Sequence, residues 1–123
     1  MTKLSTDLQK KPVALTRDLI LIPSDESRPD DIDRCFEFII NHLESLDSIV
    51  IKKHYHCGIA SLVVLPKNID HPKVLLCGHL DVITHSNTHS YRSQVTDGKI
   101  IGPGAGDMKG PLAVLLEVFM NLH

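Results

Sequence analysis

Apolar residues recur along this chain with two different periods. Over residues 5–21, Leu8, Val13, Leu15, Leu19 and Ile20 form a ragged stripe at helical spacing, which predicts a first helix. Pro12 inside that run offers a second starting point. Ile22-Pro23-Ser24 ends the helix, because a residue before proline is pushed out of the helical region. Pro29 suits a first helical position, and Asp30, Asp31 and Asp33 favour the positive start of a helix. Ile32, Cys35, Phe36, Ile39, Ile40 and Leu43 then recur every three or four residues, predicting a second helix over 29–46. After it the period changes. Residues 48–56 and 59–66 are rich in β-branched residues around Gly58 and predict a β-hairpin. Asn68 to Pro72 is a turn cluster. Residues 73–78 (KVLLCG) predict a short strand of the kind buried on both faces of a sheet. Residues 84–97 are polar and predict a loop. Asp97-Gly98 marks a turn before a brief apolar piece at 99–101, and 102–110 (GPGAGDMKG) is a glycine-rich loop. From Pro111, Leu112, Leu115, Leu116 and Phe119 predict a last helix with one buried face.

That order, two helices, four strands and a helix, predicts an α/β architecture with helices on the faces of a sheet. A crossover helix ordinarily returns the chain to a neighbouring parallel strand. The expectation is therefore the front part of a larger domain, with one sheet edge left open.

Composition narrows the class. Of 123 residues, 42% are hydrophobic and 23% charged, as in ordinary globular proteins and unlike disordered chains. No apolar run approaches the roughly 18 residues of a membrane-spanning helix, and the N-terminal stretch lacks the continuous apolar core of a signal peptide. The net charge of −2 exerts no general pull on nucleic acid or anionic lipid. Aromatic residues at 4% provide few stacking platforms for single strands. Three scattered cysteines make a disulfide framework an unlikely design and predict a reducing, cytoplasmic setting. The eight histidines hint at metal chemistry.

Two segments carry candidate chemistry. The first is Gly78-His79-Leu80-Asp81-Val82, directly after the predicted 73–78 strand, where α/β sheets gather ligands. In extended chain His79 and Asp81 point to one side, and the carboxylate can orient the imidazole as a metal ligand and raise its basicity. An ordinary hydrogen-bonded histidine is the competing reading. The second is the loop 102–110. Its glycines allow close approach of the backbone, and Asp107 offers two hard oxygens, enough to bridge two cations. The same aspartate would also serve as a plain helix cap. A phosphate-binding loop needs Lys followed by Ser or Thr after its last glycine, whereas Lys109 stands between Met108 and Gly110. A dinucleotide fingerprint needs glycine where Asp107 stands. His54 and His56 alternate on a predicted strand beside Lys52 and Lys53, which reads as a solvated face. His85 and His89 lie in a polar loop near the candidate site. His71 and His123 have no partner in view, and no cysteine pair has structural-zinc spacing.

Taken together, CGHLDVI and, further on, DGKIIGPGAGDMKG opening a helix resemble the co-catalytic zinc metallopeptidase and aminoacylase family. That family includes acetylornithine deacetylase, succinyl-diaminopimelate desuccinylase, aminoacylase and glutamate carboxypeptidase. The Ile-Pro-Ser segment after the first helix is similar to the family's start. The resemblance implies a zinc-exopeptidase-like mixed sheet flanked by helices, of which residues 1–123 are the N-terminal part. The rest of the catalytic domain and the lid and dimerisation domain are then absent. It implies that His79 is a zinc ligand, that Asp107 is the carboxylate bridging two zinc ions (cobalt or manganese being substitutes), and that Asp81 orients His79. Pro103 replaces an arginine common in the family and resembles the glutamate carboxypeptidase branch.

For the complete family enzyme, the resemblance implies a metal-activated water, deprotonated by a glutamate, attacking the amide of an N-acyl amino acid or small peptide. The Glu-Glu pair that supplies that base and a further ligand has no counterpart here, since Glu117 is the sole acidic residue after Asp107. The expectation is therefore a zinc-dependent amide hydrolase whose present chain is inactive by itself. The alternative is a non-catalytic remnant acting as a binding or oligomerisation module, a homodimer for example.

Overall fold

In a computed structural model, the backbone of residues 3–123 and the side-chain environments of residues 9–123 are described. The Leu8 side chain counted in the first apolar stripe lies outside the described residues. Helix α1 (Lys3–Ile20) runs through Pro12 without a break. Thr16 Oγ1 donates to the Pro12 carbonyl at 2.7 Å. Helix α2 (Pro29–Leu43) opens on proline with Asp30 and Asp31 in its first turn. It stops three residues before the sequence pattern predicts. Its last buried residue is Leu43, and the chain turns there, with Leu46 N bonded to the Leu43 carbonyl.

Strands β1 (Ile49–His56) and β2 (Ile59–Pro66) pair antiparallel, His56 opposite Ile59. The two connecting residues, Cys57 and Gly58, both have positive φ (51° and 79°), the backbone that matches the twist of a tight hairpin. Asp97-Gly98 repeats this device at φ 51° and 73°. It joins β3 (Gln94–Thr96) to β4 (Lys99–Ile101) in a second two-stranded antiparallel sheet. Helix α3 (Lys109–Leu122) starts two residues ahead of Pro111. The architecture is thus mixed α/β, with three helices and two small antiparallel sheets.

Two expectations need correction. Residues 73–78 form no strand, and Val74, Leu75 and Leu76 are 75%, 85% and 42% exposed. A segment apolar on both faces makes a ladder only between two partners, and none of the described residues pairs with it. The third strand is instead β3, within the stretch read as loop. All three of its residues are exposed, so no burial pattern marked it. Its pairing follows from the Asp97-Gly98 turn.

The core lies among the three helices and the first hairpin. It combines Leu15, Leu19 and Ile22 with Cys35, Phe36, Ile39 and Leu43, and adds Ile49, Leu80 and Ala113. Lys53 of β1 reaches back to α2, 2.9 Å from Asp33 Oδ1.

The end of α1 is held by two buried ionisable side chains. Lys109, the first residue of α3, is fully buried. Its Nζ donates to the carbonyls of Leu19 and Ile22, both at 2.7 Å. A cation at a helix C-terminus meets the negative end of the helix dipole and its unbonded carbonyls. Burial nevertheless pushes the Lys109 ammonium below its usual pKa. Asp25, also fully buried, accepts from Ser27 N at 3.0 Å, from Ser27 Oγ, from Arg28 Nη1 at 2.6 Å and from Tyr91 OH. Burial raises its pKa, but the bonds from Ser27 and Tyr91 and the charge of Arg28 outweigh it, so the carboxyl lies below its usual range.

Two stability predictions follow from these groups. Lys109→Met keeps most of the stem's bulk but removes both donors. It is expected to lower the unfolding free energy by about 1–3 kcal/mol, the usual cost of leaving buried acceptors short of a partner. An unchanged urea midpoint would refute that. For Asp25 the folded pKa is below the unfolded value of about 3.9. Its contribution is therefore complete above that pH and is lost as the pH falls through the folded pKa. Urea unfolding measured from pH 6 downward should show stability declining below about pH 4, with a shallower decline in Asp25→Asn.

Candidate functional site

His79 and Asp107 are 28 positions apart in sequence and meet in space. His79 Nε2 lies 2.8 Å from Asp107 Oδ1. The other ring nitrogen, Nδ1, lies 3.1 Å from the Asp81 carbonyl oxygen and 3.2 Å from Asp81 Oδ1. The side chains of His79, Asp81 and Asp107 are 45%, 67% and 88% exposed, so the site is an open surface feature. His79 and Asp81 do face one another, although the segment that carries them is not a strand.

What holds the segment is the turn after α1. Ser24 Oγ donates to the Leu80 carbonyl at 2.6 Å, and Val82 N donates to the Ser24 carbonyl at 3.0 Å. Asp25 and Val82 form an isolated parallel bridge. The glycine loop is held from the same place through Lys109, whose backbone N donates to the Gly104 carbonyl at 2.7 Å. Gly104 has φ 76°, and a Cβ there would meet Val82 Cγ1 at 2.6 Å. At Gly110 a Cβ would fall 2.2 Å from the Ala105 carbonyl oxygen. Glycine at these two positions lets the loop close against the His79 segment.

Both ring nitrogens of His79 face oxygen acceptors. An imidazole satisfies that arrangement with two N–H donors, as imidazolium. The Asp107 hydrogen bond, aided by the Asp81 carbonyl and both carboxylate charges and opposed by desolvation, raises the His79 pKa above its usual value. The three side chains are strung along the ring and do not converge on one point. Among the described residues, no group of three or more His, Cys, Asp or Glu side chains is placed to hold a metal ion.

The remaining histidines fall outside this cluster. His54 and His56 lie exposed on β1, in keeping with a solvated face. The His85 ring packs edge-on against Tyr91 at 5.5 Å, and its backbone N donates to Tyr91 OH. His89 N is capped by Asn87. His42 Nε2 sits 3.2 Å from Glu117 Oε1, between α2 and α3. The sequence reading missed Lys109 and Asp25, the two buried groups beneath the site. A lysine near the end of a glycine-rich loop, as Lys109 is, is a signal for a buried contact as well as for phosphate. For Asp25 the local partners Ser27 and Arg28 do not imply burial, which involves Tyr91, 66 positions away.

The geometry makes the His79 titration a direct test of the contact with Asp107. In Asp107→Asn the ring pKa is expected to fall back toward the usual ~6.5, read from its ring resonances against pH. No change would show that the two side chains do not meet in solution.

Part of the chain is similar to known proteins. Residues 75–123 match the family model for peptidase family M20/M25/M40. A succinyl-diaminopimelate desuccinylase of Nitrosomonas eutropha is 31% identical over 117 residues, covering 89% of this chain and 30% of that protein. Its namesake in Nitrosomonas europaea is 32% identical over 121 residues, with the same coverage. The chain thus spans about 30% of the length of the curated relatives it matches. No helix among the described residues is long and apolar enough to cross a membrane. Both the His79 segment and the glycine loop fall inside the matched residues, and through them this part of the chain is similar to peptidase family M20/M25/M40.

Proposed function

We propose that this chain supplies part of the metal site of an amide-bond hydrolase, with His79 and Asp107 as ligands and Asp81 as the residue that orients His79. The observation that carries this reading is the approach of His79 Nε2 to Asp107 Oδ1 at 2.8 Å, with Asp81 behind the ring. The donor kinds suit zinc, which takes imidazole nitrogen and carboxylate oxygen, and cobalt or manganese accept the same donors. A bound divalent cation would supply a water acidified toward neutral pH and polarise a carbonyl oxygen. The chain's own contribution is to hold donors. The Asp81 carbonyl and carboxylate occupy Nδ1, which leaves Nε2, now bonded to Asp107 Oδ1, as the ring nitrogen that a cation could take over. The family match over residues 75–123 and the names of the two Nitrosomonas relatives favour an N-acyl amino acid or small peptide as substrate.

Two protein donors fall short of the three that a catalytic zinc ion usually takes. The chain alone is therefore expected to bind zinc weakly and to hydrolyse no N-acyl amino acid. Calorimetric titration with zinc should show weak binding that His79→Ala or Asp107→Ala weakens further, by at least about tenfold. Stoichiometric tight zinc with amidase activity would contradict the expectation of an inactive chain. Zinc binding indifferent to both substitutions would contradict the ligand assignment.

The exposed run Val74-Leu75-Leu76 favours a second reading, a module that associates through this segment. Sedimentation equilibrium showing a monomer at all accessible concentrations would remove self-association from that reading.

A further inference from the structure

We propose that Ser24 is the positioning residue of the site: its hydroxyl and its carbonyl grip the backbone on both sides of Asp81 and thereby set Asp81 against the His79 ring. The proposal rests on the metal-ligand reading only for one arm of its test.

Ser24 is fully buried. Two of its bonds run to the Leu80 carbonyl and from the Val82 amide, the peptide groups that flank a single residue. That residue, Asp81, presents both its backbone carbonyl and its carboxylate to His79 Nδ1. Its own side chain is 67% exposed, so side-chain packing does little to fix it. Nor is a sheet available, because residues 73–81 belong to no strand. The order of the segment must come from its backbone bonds, and Ser24 makes the two nearest to Asp81. In a regular sheet a neighbouring strand performs this task through main-chain groups alone. Here a side-chain hydroxyl takes the place of one rung.

Burial pushes the Cys35 thiol on α2 up, and the neighbouring Ser24 side chain partly offsets it. Leu80 is also buried. Without the hydroxyl its carbonyl would lose this partner in a place where water cannot easily substitute. The cheapest relief is for residues 80–81 to shift, which moves the Asp81 oxygens away from the His79 ring. Partners that orient a ligating histidine typically influence metal affinity by 10–100-fold.

The test compares the whole chain with Ser24→Ala and Ser24→Thr, using zinc alone as probe. A conservative core variant on α2, Ile39→Val, serves as control for loss of stability alone. Without metal, the His79 ring nitrogen and carbon resonances are expected to move in Ser24→Ala, to return in Ser24→Thr and to stay put in Ile39→Val. Calorimetry should show zinc affinity about 10–100-fold weaker in Ser24→Ala. Unmoved ring resonances in a folded Ser24→Ala overturn the proposal. Moved resonances in a chain that binds no zinc uphold Ser24 and overturn the ligand reading instead. If Ser24→Ala does not fold, Ser24→Cys fills the same space with a much weaker donor, and the same outcomes apply.

Discussion

The Lys109 ammonium, buried on the carbonyls of Leu19 and Ile22, is the contact on which the arrangement of this chain depends. It joins the end of the first helix to the start of the last, 90 residues later. Placing a cation there is costly in desolvation. The cost is met by carbonyls that a helix end leaves short of donors, in the field of the helix dipole. Because Lys109 stands two residues after Asp107, fixing its side chain also constrains where Asp107 stands. Because Ile22 leads into Ser24 and Asp25, the same helix end carries the grip on residues 80–82. Both halves of the candidate site hang from residues 19–25.

Beneath the surface cluster lies a second polar network around Asp25. Its carboxylate gathers Ser27, Arg28 and Tyr91, and Tyr91 in turn accepts from the His85 backbone. A buried carboxylate is tolerable only when its oxygens are fully bonded, and no buried side-chain polar atom among the described residues lacks a partner. The division is consistent physically. Groups that must stay charged and fixed are inside and saturated, while His79, Asp81 and Asp107 lie on the surface and bond to one another.

Much of the fold was legible because its signals are local. A stripe of apolar residues every three or four positions marked α2, and a glycine after a β-branched run marked the first hairpin. Asp97-Gly98 marked the second turn, though not the strand before it, whose exposed Gln94, Val95 and Thr96 bury no face. The run at 73–78 misled because strand propensity states a preference for partners and cannot supply them. The candidate site was legible in kind, since His79, Asp81 and Asp107 stand out by type and spacing. Its supports were less so. The Ile-Pro-Ser segment is visible in sequence, but its bonds to residues 80 and 82, 56 or more positions away, are not.

The amino-acid order alone determined helix periods, turn positions and which side chains have the chemistry to hold a cation, because each depends on neighbours a few residues away. The tertiary structure alone decided that His79 meets Asp107, that Lys109 is buried beneath α1 and that Asp25 is satisfied by Tyr91. Those pairs are 28, 90 and 66 positions apart. Closing such long loops is favourable only once burial and hydrogen bonding offset the lost chain entropy together, and no short window of sequence contains that balance.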